Sequence, residues 1–173
     1  MSGFSKPRNI VLVGFMGTGK STVSRILAER LGWTRVDTDD EIVRQAGRSI
    51  PELFAEQGET AFRDWETRVL AEVLDGSGRV VATGGGAALR EENRRCMRAG
   101  GWVVALTADK RTLLSRVTAG GDAAGRPLLA GDAEARIDAL LAARRRAYDF
   151  AHATVDTSRL SPDEIAGMLL RWM

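Results

Sequence analysis

Two short runs carry residue types that could do chemistry together. Residues 14–21, GFMGTGKS, fit the spacing G-x-x-x-x-G-K-[ST]. Glycines so placed let successive backbone N–H groups turn inward around a phosphate. A helix that starts there adds the partial positive charge of its N-terminus. Lys20 can reach the β- and γ-phosphates of a nucleotide, and the Ser21 hydroxyl can ligate Mg²⁺. The second run, DTDDE at 37–41, puts three aspartates and a glutamate within five positions. It has two readings. Thr38 and Glu41 have the spacing of a T-x-x-E capping box, and acids in a first helical turn are favoured by about 0.3–1 kcal/mol. Alternatively, the carboxylates hold a metal ion, a substrate, or both, because Mg²⁺ beside a phosphate loop needs oxygen ligands or bound water.

Other runs have structural readings, and two of them a functional one as well. Arg63, in FRDWE, is by itself a solvated or ion-paired arginine on a helix. The triple glycine at 84–86 is a tight turn, or a place where a ligand approaches backbone without Cβ interference. Arg126, in GRPLL, anchors a loop, or it closes over a transferring phosphoryl group and stabilises its charge. Pro162 is a proline in the first position of a helix capped by Ser161.

The elements that must position these residues follow from apolar periodicity. NIVLVG (9–14), WTRVD (33–37), RVVATGGG (79–86), WVVALT (102–107) and ATVD (153–156) read as short strands, several of them continuous apolar runs suited to a buried parallel sheet. Helical spacing marks 20–31 with Gly32 as its stop, then short helices at 39–47 and 49–58, a longer one over 58–74, and others at 90–100, 109–117, 133–150 and 161–173. Strands alternating with helices predict an open, mostly parallel α/β sheet covered on both faces, with ligands beyond the carboxyl ends of the strands. The stretch 118–132, TAGGDAAGRPLLAGD, is rich in glycine and alanine and reads as a mobile functional lid. Nothing divides the chain, so residues 1–173 are expected to form a single domain.

Composition narrows the chemistry. Net charge is +2 at 173 residues, which carries no strong nucleic-acid signal. Cys96 is the only cysteine and His152 the only histidine, which excludes an intrachain disulfide, a Cys/His zinc site and a conventional His-based triad. His152 lies beside a strand and is expected to be structural. No apolar run reaches spanning length and no signal-peptide pattern opens the chain, so the expected location is the cytoplasm. A GTPase would ordinarily show an N-K-x-D element, which is missing, and an ABC-type ATPase its own signature in a larger domain. A small kinase or a nucleotide-gated module remains.

Taken jointly, GFMGTGKST, DTD, FR, GGG and RPLL resemble, in order and spacing, the shikimate kinase family, over residues 9 to about 162. The resemblance implies a P-loop NTPase of the nucleoside-monophosphate-kinase-like kind, a three-layer sandwich with a five-stranded parallel sheet. It implies transfer of phosphate from ATP to the 3-hydroxyl of shikimate, a step toward chorismate and the aromatic amino acids, with Mg²⁺ as cofactor. The partners implied are small molecules, shikimate and ATP; a monomer is expected, with no nucleic acid and no membrane.

The resemblance also distributes roles. Gly17, Thr18, Gly19, Lys20, Ser21 and Thr22 would hold the ATP phosphates. Arg116 would stack on adenine, with Pro162 on the other face. Ser21 and Asp37 would support Mg²⁺, the latter usually through water. Asp39 would meet the substrate hydroxyl, and Lys20, Asp39 and Arg126 would be catalytic. Arg63 and Arg144 would bind the shikimate carboxylate, and Gly84, Gly85 and Gly86 would contact shikimate. The family's R-x-P-L-Y reads RRRAY here; Arg144 is chosen by its distance from Tyr148, with Arg145 and Arg146 as alternatives. The segment 116–126 is a few residues longer than in many relatives. A helix N-terminus and nearby Mg²⁺ both favour the Asp39 carboxylate, so Asp39 is expected mainly to position the hydroxyl. The competing readings are another small-polyol kinase such as gluconate kinase, a nucleotide-binding regulator without catalysis, and an arginine-rich nucleic-acid binder.

Overall fold

In the computed structural model, residues 6–119 and 132–173 are described. The strands are β1 (Asn9–Val13), β2 (Thr34–Asp37), β3 (Arg79–Ala82), β4 (Trp102–Thr107) and β5 (Ala153–Asp156). They form one five-stranded sheet in the order β2-β3-β1-β4-β5, and every pairing is parallel. The helices are α1 (Lys20–Leu31), α2 (Thr38–Ala46), α3 (Ile50–Leu74), α4 (Glu91–Gly100), α5 (Lys110–Ala119), α6 (Ala133–Ala143) and α7 (Pro162–Trp172). A short 3₁₀ turn at Ala87–Leu89, not foreseen from the sequence, follows the triple glycine.

The central strand shows why its run is apolar throughout. Ile10 and Leu12 join a buried cluster with Val23 and Leu27 of α1 and Ile165 and Leu169 of α7. Val11 and Val13 point the other way, into a cluster with Phe62, Val69 and Leu70 of α3 and Met97 of α4. Both faces of β1 are covered, so alternation would serve no purpose. Chain order reverses beside β1: β2 and β3 lie to one side, β4 and β5 to the other. The crevice beyond its carboxyl end is therefore the switch point where ligands bind in such sheets. No helix among the described residues is long and apolar enough to cross a membrane.

Three local expectations change. First, the cap of α2 is Asp37, not Thr38. β2 holds Asp37 extended (φ −103°, ψ 122°), so it is the last non-helical residue, and its Oδ1 accepts from the N–H groups of Asp39 (3.0 Å) and Asp40 (3.3 Å). Thr38 is left free to accept from Gly84 N–H at 3.1 Å, and Glu41 pairs with Arg44 and Gln45 instead of closing a box. Second, α6 stops at Ala143 rather than continuing to residue 150. Tighter turns follow, with Ala147 N–H on Arg144 C=O and Ala151 N–H on Tyr148 C=O, and they leave Arg144 buried with Tyr148 packed against the core. Third, residues 50–74 form one run, but Gly58 interrupts it at φ 84°, ψ 174°. The boundary expected at 58 is thus a bend that only glycine adopts without strain. α7 opens as expected, with Ser161 and Glu164 in a reciprocal capping box and Pro162 in the first turn. His152 is structural: its Nδ1 accepts from Val103 N–H at 2.9 Å.

Candidate active site

The phosphate loop leaves the end of β1 and turns into α1. Gly14 (φ 145°) lies so close to β4 that a Cβ would stand 2.2 Å from the Leu106 carbonyl oxygen. Gly19 caps α1 in the left-handed region, no side chain caps that end, and no acid sits in its first turn. Its N–H groups and positive end are therefore directed at the crevice. Thr18 is buried and braces the loop, donating to Phe15 C=O at 2.8 Å, while Thr157 Oγ1 donates to Thr18 C=O at 2.9 Å. Lys20 Nζ donates to the carbonyls of Gly14 (2.7 Å) and Phe15 (2.9 Å).

A cavity of about 540 Å³ opens here, and its walls include Gly17, Gly19, Lys20, Ser21, Asp37, Asp39, Gly84, Gly85 and Arg116. Runs far apart in sequence meet because β3 ends beside β1 on one side and β2 on the other. Gly84 N–H donates to Thr38, which ties the triple glycine to the start of α2. Arg116 donates to Gly17 C=O (3.1 Å) and to Thr157 C=O (2.8 Å), placing a guanidinium at the rim of the loop. Thr22 is exposed on α1, and Pro162 opens α7; neither lines the cavity. Arg126 lies outside the described residues.

Beneath the glycines sits a charged cluster. Arg63 is buried and donates to Glu66 at 2.5 Å and to Glu59 at 3.2 Å. A Cβ on Gly86 would overlap the Arg63 guanidinium. One on Gly84 would stand 2.7 Å from Asp39 Oδ1 and 2.9 Å from Glu66 Oε2. A Cβ on Gly85 would lie 3.3 Å from Arg144 Nη1. The three glycines thus let two arginines and two carboxylates crowd one patch of backbone. Of the three consecutive arginines, Arg144 alone is buried, whereas Arg145 and Arg146 are exposed. Asp39 Oδ1, Glu66 Oε2 and Arg144 Nη1 are buried with no hydrogen-bond partner among the described residues. Buried polar atoms without partners are costly, and here they converge, as expected of groups awaiting a polar ligand.

Glu66 and Tyr148 were not singled out from the sequence. Glu66 carries a signal, since it sits three residues after Arg63 on one helix. Tyr148, whose hydroxyl donates to Gly85 C=O at 2.6 Å, carries none beyond its spacing from Arg144. Burial, then Glu66 and Asp37, push the Asp39 carboxyl up to about 7, against the pull of Lys20. Without a metal charge beside it, this carboxyl holds its proton to higher pH than an ordinary aspartate does. Burial also raises Glu66, and Arg63 offsets only part of it. Asp37 is raised by burial and by Asp40.

The sign of the Asp39 shift sets a stability test. Its folded value, about 7, exceeds the ordinary 3.8, so the folded chain holds this proton more tightly than the unfolded one. Stability from this group is full below about pH 4 and is lost as pH rises through 7. Asp39→Asn, uncharged and of the same shape, is expected to raise Tm on the order of 5 °C at pH 8 in EDTA. At pH 4 it should match wild type. Equal melting curves at pH 8 would refute the burial argument.

The oxygens expected to support Mg²⁺ can be tested for fit. Ser21 Oγ and Asp37 Oδ2 both approach one cationic nitrogen, Arg35 Nη2, at 2.7 and 3.5 Å. Both oxygens therefore face one cationic point. Among the described residues no group of three or more His, Cys, Asp or Glu side chains is placed to hold a metal. Mg²⁺ takes few protein ligands and completes its shell with phosphate and water.

A model of the shikimate kinase family matches residues 16–173. The shikimate kinase of Symbiobacterium thermophilum is 46% identical, over 94% of this chain and 94% of its own length. That of Geobacter sulfurreducens is also 46% identical, over 95% and 90%. Among solved structures, the shikimate kinase from Acinetobacter baumannii in complex with shikimate superposes with a TM-score of 0.90 at 39% identity, covering 97% of this chain and 93% of that one. The fold is the nucleoside-monophosphate-kinase-like P-loop architecture of these relatives.

Proposed function

The chain belongs to the shikimate kinase family, and from that membership we propose that it transfers the γ-phosphoryl group of ATP to the 3-hydroxyl of shikimate. The products are shikimate 3-phosphate and ADP, on the route to chorismate and the aromatic amino acids. The observation that carries this reading is the cavity in which the phosphate loop, Asp39, Gly84 and Gly85 face one another.

The division of labour follows the chemistry of each group. The N–H groups around residues 17–22 and the positive end of α1 cradle the phosphates, and Lys20 leaves its loop carbonyls for the β- and γ-phosphates. Ser21, with Asp37 in support, would hold Mg²⁺, which would supply charge neutralisation at the transferring phosphoryl group. Arg63 and Arg144 take the substrate carboxylate, with Gly84, Gly85 and Gly86 allowing its ring against the backbone. Asp39 accepts a hydrogen bond from the attacking hydroxyl and aligns it, and a carboxyl near 7 is also able to receive its proton. Arg116 flanks the adenine with Pro162, and Arg126 covers the transferring group.

A coupled assay of ADP release with shikimate, quinate, gluconate or no acceptor tests the proposal. Release is expected with shikimate and not without acceptor. Release with gluconate alone would overturn it, and release with none would favour a nucleotide-binding regulator.

A further inference from the structure

Arg35 belongs to none of the motifs above, yet it occupies the most sensitive point of the cation site. Strand alternation on β2 sends Val36 into the core and sets Arg35 and Asp37 on the same face. That face meets the first turn of α1, where Ser21 and Ser24, three apart, project together. Arg35 Nε donates to Ser24 Oγ at 3.0 Å, and Ser24 is fully buried. Ser24 thus serves as an anchor that aims the rest of the guanidinium. Nη2 then donates to Ser21 Oγ at 2.7 Å and lies 3.5 Å from Asp37 Oδ2.

We propose that Arg35 is an internal competitor for the metal site, a specificity-setting residue that lowers the affinity for Mg²⁺–nucleotide by engaging both of its protein oxygens. The inference rests on the reading of Ser21 and Asp37 as the metal pair. A guanidinium has donors only, so each oxygen it engages gives up a lone pair to it. A divalent cation on Ser21 Oγ would also face the positive charge of Nη2 at close range. Arg35 must therefore withdraw from Ser21 for the metal to bind, and breaking that charged hydrogen bond opposes binding. Its Nε bond to Ser24 can persist, so the withdrawal is a short swing of one side chain.

Calorimetric titration of ADP, with Mg²⁺ and separately in EDTA, tests this without reference to turnover. The quantity read is the factor by which Mg²⁺ tightens ADP. In Arg35→Met and in Arg35→Gln, which keeps a polar group on the strand, that factor is expected to grow about five- to tenfold, with ADP binding in EDTA little changed. Asp37→Asn, which preserves the helix cap, should bring the factor toward one. An unchanged factor in both Arg35 variants beside a collapsed one in Asp37→Asn sinks the competitor role and spares the metal pair. ADP bound more weakly in EDTA by both variants would make Arg35 a phosphate ligand and also overturn the proposal. A wild-type factor in Asp37→Asn would remove the metal pair itself, and the proposal with it.

Discussion

Asp39→Asn is expected to lower kcat by about 10²–10⁴-fold, the range for loss of a positioned acid–base group, while ADP affinity changes little. The argument begins with burial. Asp39 stands behind the glycines with one oxygen unpartnered among the described residues, and Glu66 and Asp37 crowd it with like charge. These groups lift its carboxyl to about 7, near the pH at which a general base works best. The amide keeps the shape and can still hydrogen-bond a hydroxyl, but it cannot take a proton. Measured at subsaturating Mg–ATP, wild-type kcat/KM for shikimate should rise with pH through one ionisation near 7. That limb should move to lower pH as Mg–ATP saturates, because the metal's charge favours the carboxylate. Asp39→Asn should show no such limb. A variant within about threefold of wild type would assign Asp39 to alignment alone, since phosphoryl transfer depends largely on positioning and electrostatics.

The helix-cap reading of DTDDE holds with its cap shifted by one residue. Asp37 caps α2 through Oδ1, and its Oδ2, the oxygen proposed to support Mg²⁺, faces Arg35. From the sequence, Thr38 was the better cap because its spacing to Glu41 matched a known pattern. The strand ends at Asp37 as expected, but Thr38 already enters the helix, and the Asp37 carboxylate reaches the N–H groups of Asp39 and Asp40. The five strands, the phosphate loop and the bend at Gly58 were legible because each is a local signal: a buried run, a fixed spacing, a residue that permits φ above zero. Arg35 was not legible, because its partners Ser21 and Ser24 lie on the preceding helix and meet it only when β2 packs beside α1. Glu66 was half legible. Its spacing to Arg63 announces a pair, but its burial and its approach to Asp39 follow from the missing Cβ of Gly84.

Arg63 ties stability to substrate binding, and its removal should be felt in both. A charge-assisted bond to the substrate carboxylate is worth about 1.5–3 kcal/mol, so Arg63→Ala should raise the KM for shikimate by about 10–150-fold with little change in KM for ATP. The same change leaves Glu66 buried without its closest cation, because Arg144 is held off its unpartnered oxygen. Breaking a buried pair from one side costs about 3–5 kcal/mol, which should appear as a lower Tm at pH 8. Adding Glu66→Gln removes that stranded charge. The double variant Arg63→Ala/Glu66→Gln should therefore regain most of the lost Tm and none of the lost shikimate affinity. Recovery of both would mean that Arg63 acts only by holding Glu66, and an unchanged shikimate KM in the single variant would take Arg63 out of the carboxylate site altogether. The guanidinium faces several ways: Nη1 toward Glu66, Nη2 toward Glu59, and the fork as a whole against Gly86, where a Cβ would overlap it.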